Sequence, residues 1–238
     1  MRHFWFMRAL LAAVVAGVAG VAGAQAIYTP PPAQNFAGVW LIQGDHSSIR
    51  TVAGKLPPMT GAAAARYRAA LKARKAGKPD FDSIQTCKPH GFPRILFAAY
   101  PIEILQEPAQ VTFIHEIHHM PRMVYLDMTL PKLEDMDPNW MGLSAGHWDG
   151  DTLAVESQGF NDLTTLDAAG LPHSTQLQVA ERIRKLDADT LEDLITITDP
   201  NDYTQPWSTR VTYRRQPGAR LKEYVCTDSN PEAKAQTP

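Results

Sequence analysis

A marked excess of positive or negative charge is missing from this chain. Its 238 residues carry 23 Lys and Arg against 25 Asp and Glu, a formal net charge of −2. No basic stripe appears either, so nucleic acid is not the expected partner. Cysteine is nearly absent: only Cys87 and Cys226 occur, without CxxC spacing, which removes the clustered-cysteine motifs of metal and redox sites. Neither a GxGxxG fingerprint nor a P-loop is present, so no nucleotide cofactor is expected, nor any other cofactor. Beyond Val21 no apolar run is long enough to cross a bilayer.

What is present begins with a secretory layout. Arg2 and Arg8 supply a positive region, Ala9 to Val21 an apolar one, and Ala22-Gly23-Ala24 or Ala24-Gln25-Ala26 a small-residue cleavage site. Residues 1–26 are therefore expected to be a signal peptide. A membrane anchor is the weaker reading, because the uncharged stretch is short, broken by glycines and not followed by a basic stop. The chain is expected to be exported, periplasmic or secreted, with no stable membrane insertion after cleavage. In an oxidising compartment Cys87 and Cys226 most simply form one disulfide. Closing so long a loop contributes about 4–5 kcal/mol on the chain-entropy model.

Residues 27–35 form a proline-rich leader, 36–230 one domain, and 231–238 a disordered tail. The convincing helix spans 60–75, with Thr60 as cap, alanines inside, and Gly77 and Pro79 at its end. Its basic residues mark it as an outer, solvated element. Candidate strands follow at 36–42, 101–106, 110–118, 122–128, 142–148, 152–158, 176–186, 190–198, 208–215 and 220–226. Most connections are of hairpin length, so neighbouring strands should be antiparallel. An open meander of this length would leave two bare edges. The expected fold is a mainly β, antiparallel up-and-down barrel of about 8–10 strands with one N-terminal peripheral helix.

Alternation sorts the faces. Leu177, Val179, Glu181 and Ile183 share one side of their strand, so Glu181 becomes a carboxylate among apolar neighbours. Such a group is either paired or raised in pKa. Val111, Phe113, His115 and Ile117 share a face, placing His115 inside too. Arg122 aligns with Val124 and Leu126 and is the partner that can satisfy Glu181. Inward polar residues then mark either a ligand site or a structural ion pair. The connection 159–175 is long for a compact domain without regular structure, which points to covering or lining a site. It holds Asn161, Asp162, Asp167, His173 and Ser174.

Two motifs are misleading. His115-Glu116-Ile117-His118-His119 matches HExxH, but zinc chelation needs both histidines one helical turn apart. The preceding QVTFI and the following Pro121 instead read as a strand entering a hairpin, where positions four apart lie about 13 Å from each other. A zinc-dependent hydrolase through this segment is the least favoured reading, and no metal site is expected. Ser174 and His173 with Asp167 supply the residue types of a triad, yet no GxSxG elbow is present. Ser174 reads as a turn residue, while His173 is a candidate general base or ligand donor.

The segments GVW at 38–40, CKPHGFPR at 87–94, LSAGHWDGDTLAVESQGFND at 143–162, LDAAGLPHS at 166–174 and AERI at 180–183, taken together, resemble one family. It is a group of exported bacterial proteins with a GxSxGxWxGDTLxVxTxGF-type core, distantly similar to lipocalin-type (calycin) barrels. The resemblance covers nearly the whole mature chain and implies a calycin-like barrel, but carries no activity with it. Asp127-Met128-Thr129 stands where the family tends to have an Asp-Gly-Arg turn, and Ser157 where threonine is usual.

Two functions compete. In the first, an exported barrel binds a small, partly apolar molecule in a pocket lined by Arg, Glu and His, with Arg94, His115, Asn161 and Asp167 as ligand contacts. In the second, a cofactor-free acid–base enzyme (lyase, isomerase or hydrolase) uses the same pocket. Glu181 and His173 would exchange the proton and Arg122 would stabilise developing negative charge.

Overall fold

The computed structural model of the protein describes residues 28–78 and 82–226. The expected signal peptide over 1–26 and disordered tail over 231–238 lie outside the described residues.

Period-two alternation decides the architecture. The strands are β1 (Gly38–Gln43), β2 (Ile102–Glu107), β3 (Gln110–His115), β4 (Pro121–Leu126), β5 (Leu143–Asp149), β6 (Thr152–Gln158), β7 (Gln178–Asp187), β8 (Thr190–Thr198) and β9 (Trp207–Arg215). Val111 and Phe113, Leu153 and Val155, and Leu191, Ile195 and Ile197 are buried at alternate positions, with more polar neighbours between them. A sheet with one apolar face must cover it. Among the described residues, nine strands do so by closing into a barrel in sequence order. This is the mainly β, calycin-like architecture expected from the sequence.

An odd strand count forces one exception to the meander. Around a closed ring, antiparallel neighbours must alternate in direction, which only an even number satisfies. The exception is β4–β5, which runs parallel over Val124↔Ser144, Tyr125↔Ala145 and Leu126↔Gly146. The connection 127–142 carries the chain back to start β5 at the same end as β4.

β1 closes the ring against β9, with Trp40 opposite Arg215 and Ile42 opposite Tyr213. The Arg215 guanidinium lies 5.6 Å from the centre of the Trp40 ring and donates to the Ala37 carbonyl at 3.2 Å, joining the two ends of the sheet through cation–π and hydrogen-bond contacts. Gly38 leaves room for this contact, since a Cβ there would sit 3.3 Å from Arg215 Nη2. With β1 and β9 paired, no edge remains for a tenth strand. The expected strand at 220–226 is accordingly not formed.

Residues 221–226 instead make a strap held by the Cys87–Cys226 disulfide. The Lys222 amide donates to Glu116 Oε2 and the Tyr224 amide to His119 Nε2, each at 2.8 Å. Helix α1 (Gly61–Lys75) sits outside the barrel, capped by Thr60, whose Oγ1 accepts from the Ala63 amide. Ala63, Tyr67 and Ala70 are its buried side. One end of the barrel is plugged by Phe92, Ile95, Leu96 and Phe97, all buried. Phe92 stacks on Phe160 at 5.5 Å, and the Tyr213 hydroxyl reaches in to donate to the Leu96 carbonyl at 3.2 Å.

Candidate functional site

The sequence-derived candidates fall in three places. The first is the barrel interior. Arg122 on β4 and Glu181 on β7 are 2 % and 1 % exposed, each pointing inward because its strand neighbours two positions away do. Nη1 of Arg122 donates to Glu181 Oε1 at 2.9 Å, and Nη2 donates to Glu181 Oε2. Nε donates to Ser144 at 3.1 Å and Nη2 to Ser157 at 3.0 Å, while the two serine hydroxyls bond each other at 2.8 Å. The Phe92 ring centre lies 4.0 Å from the guanidinium carbon. A buried charge is tolerated when paired and hydrogen-bonded in this way.

Asp193 on β8 completes the cluster. Burial first, and then the adjacent Glu181 charge, push its carboxyl well above the usual carboxylate range. Asp193 Oδ1 finds no donor among the protein groups, in keeping with a carboxyl whose proton-bound form burial favours. His115 is 1 % exposed, and neither ring nitrogen has a partner. Burial, and secondarily the Arg122 charge, lower its pKa to about 3. Arg122 and Glu181 thus pair at the centre of the cluster, with Asp193 and His115 beside them. The near-total burial of these four side chains means that protein atoms pack around them, so the geometry is that of a structural ion-pair cluster and not of an open pocket.

The second place is a cleft of about 220 Å³ at the plugged end. Arg94, His90, Asp167 and His46 line it from separate segments, alongside Phe97, Ala98 and Ala99. Asp82 holds Arg94 in a fork, with both bonds at 2.8 Å. Asp167 accepts the amides of Ile49, Ala169 and Leu171 at 2.9, 3.0 and 3.0 Å, which fixes the long loop. Burial outweighs these bonds and raises its pKa. His90 is kept neutral, lowered to about 2 chiefly by burial and then by the Arg94 charge.

The third place is a cleft of about 320 Å³ between α1 and the long loop, lined by His173. Asp199, Asp202 and Asp162 are the charges that face this histidine. Glu181, for its part, is engaged by Arg122 and Asp193 inside the barrel. The expected trio of His173, Glu181 and Arg122 is therefore not brought together. Asn161 lines none of these three places; its Oδ1 accepts from the Leu163 amide at 3.2 Å and shapes the start of the loop.

The HExxH spacing falls across a strand end and a hairpin turn. β3 stops at His115, Ile117–His119 form a 3-10 turn, and β4 begins at Pro121. His118 bonds His90 at 2.9 Å, and His119 takes the strap amide. The one-turn helical geometry of a zinc protease is thus not realised. Among the described residues, no group of three or more His, Cys, Asp or Glu is placed to hold a metal ion.

Asp193 is the site residue that sequence reasoning passed over, although its signal was the one that exposed Glu181. Leu191, Asp193, Ile195 and Ile197 alternate on one face, a carboxylate among apolar side chains. The convergence of His90 and His46 on the Arg94 cleft had no such local sign. A larger groove of about 600 Å³, lined by Ala145, Ala154 and Ala180, borders the barrel cluster at Glu181 and shares no residue with the other two clefts. Compared with known proteins, the chain matches no protein-family model and no curated protein.

Proposed function

We propose that this protein is an exported barrel, akin to the bacterial family it resembles, that binds a small, partly apolar molecule at its plugged mouth. One observation carries this reading. Arg94, His90 and Asp167, from segments far apart in sequence, meet Phe97, Ala98 and Ala99 around one cleft of about 220 Å³. A mostly apolar wall with a few convergent polar groups is the usual make-up of a small-molecule site. The polar groups are rigid, because Asp82 holds Arg94 and the loop amides hold Asp167, and a rigid site loses little entropy on binding. Export is supported by the disulfide, which favours an oxidising compartment.

The test is native mass spectrometry of the protein secreted to the periplasm, beside its Ala99→Trp variant. Ala99 is an exposed residue of the cleft wall, so the indole fills the cleft without disturbing the core. The expected result is an organic mass on the wild type, lost on denaturation and absent from the variant. A ligand retained equally by the variant would place binding elsewhere, and a bare wild type after exposure to periplasmic extract would end the proposal.

A further inference from the structure

We propose a second ligand site at His173, separate from the mouth cleft, that takes a small primary alkylammonium ion. The two clefts share no lining residue, so this inference stands or falls independently of the first.

The argument is hydrogen-bond accounting. His173 is 6 % exposed. Its Nδ1 lies 3.3 Å from the Ser174 carbonyl, a group that only accepts, so Nδ1 carries the proton and Nε2 presents a lone pair. That Nε2 has no partner. Asp202 Oδ2, on the turn beside it, is likewise buried without one. Apart from Arg66, the polar side chains around the cleft also offer acceptors. Thr164 spends its hydroxyl proton on the His90 carbonyl at 2.8 Å, leaving its lone pairs; Thr165 spends its own on the Asp167 carbonyl at 2.7 Å and accepts from Arg94 Nη1 at 3.2 Å, leaving one. Asp162 is an exposed carboxylate of the rim.

The one cation of the wall, Arg66, is engaged by Asp202 Oδ1. Asp199 takes the Ser174 amide and hydroxyl at 2.6 and 2.8 Å, which anchors the histidine's own segment. Asp162, Asp199 and Asp202 therefore outnumber Arg66 around His173. A site of acceptors under negative potential selects a ligand that donates and is positive. An ammonium group offers three N–H donors and no acceptor. Leu163, Pro172 and Ala70 supply apolar surface for its alkyl part.

Burial is what holds the imidazole below its ordinary pKa, against the raising pull of Asp199, Asp202 and Asp162. A neutral ring can accept from an ammonium, whereas a protonated one would repel it. Binding is accordingly present at neutral pH and lost when acid protonates His173.

The test titrates the folded protein with n-butylammonium, n-butanol and butyrate at neutral pH, reading the His173 imidazole resonances by NMR. Butylammonium should shift them and bind at least about tenfold more tightly than butanol, a difference of about 1.4 kcal/mol, with butyrate excluded. Asp162→Asn, a surface change, should weaken butylammonium about threefold and leave butanol unchanged. His173→Phe should abolish binding, and His173→Gln, which keeps an acceptor oxygen, should restore part of it. Equal affinity for butylammonium and butyrate, an ammonium affinity insensitive to Asp162→Asn, or no binding of any probe by the wild type would each overturn the proposal.

Discussion

Glu181 and Asp167 are both carboxylates 1 % exposed, one in the barrel wall and the other in the loop that folds over its end. The molecule satisfies them in opposite ways. Glu181 meets a guanidinium and a second carboxyl, all carried by side chains on different strands. Asp167 meets three backbone amides, two of them from its own loop and one from the segment at Ile49. A strand spends its own amides on its neighbours and has none left for a side chain, so an inward charge must find another side chain. A loop has amides to spare and can wrap them around an acid. The first arrangement ties strands distant in sequence and the second fixes a local fold, so damage to each should spread differently.

The largest effect is expected at Arg122. Its replacement by Met leaves Glu181 charged and buried, costing about 3–5 kcal/mol of unfolding free energy in urea titration. Pairing it with Glu181→Leu should recover most of that loss. A loss below about 1 kcal/mol for the single change would mean that the wall does not depend on the pair. Asp167→Ala comes next, at about 2–4 kcal/mol, and its signature is local. Hydrogen exchange should accelerate at Ile49, Ala169 and Leu171 while the β7 and β8 amides stay protected. Uniform acceleration over the barrel would erase the distinction drawn between the two carboxylates.

His115→Leu should act in the other direction. Removing two unpartnered buried nitrogens should raise stability at neutral pH by about 1–3 kcal/mol. The wild-type histidine, lowered from 6.5 to about 3 in the folded protein, takes up its proton in the unfolded chain first. Its contribution is thus complete above 6.5 and is lost as pH falls towards 3. The variant should have an acid limb shallower by about one proton, or about 1.4 kcal/mol per pH unit. The smallest change is expected for Asp193→Asn, below about 1 kcal/mol at neutral pH, because a neutral amide of the same shape can donate to Glu181 and places no second charge beside it. Burial raises the Asp193 carboxyl above its ordinary 3.8 in the folded protein, so its proton-bound form favours folding at low pH and this contribution falls as pH rises. In the variant that dependence should vanish from the calorimetric profile.

The wall was legible from the sequence because a strand's period of two sorts faces without reference to anything distant. Alternation puts Glu181 and His115 inside, and Arg122, on a strand whose faces are less clear, enters as the charge that can satisfy Glu181. Thr60 and Gly77 marked the helix by local capping chemistry. The parallel β4–β5 seam was not legible, since it follows from the parity of the whole ring. Nor was the strap at 221–226, whose alternation resembles a strand but which arrives after the ring has closed. The loop resisted most. Its fold is written in amides, which every residue carries, so the sequence could nominate Asp167 and His173 without assigning them to different clefts.

The Trp40–Arg215 closure also sets a timetable. β1 is made first, yet both strands that flank it lie far along the chain, at residues 102–107 and 207–215. Contacts so distant in sequence form slowly, because the loop entropy is lost before any pairing rewards it. The hairpins β5–β6, β7–β8 and β8–β9 can form as soon as they exist, whereas the ring must wait for its last strand. A chain emerging N-terminus first therefore holds local hairpins with the ring still open until nearly all of it has been made.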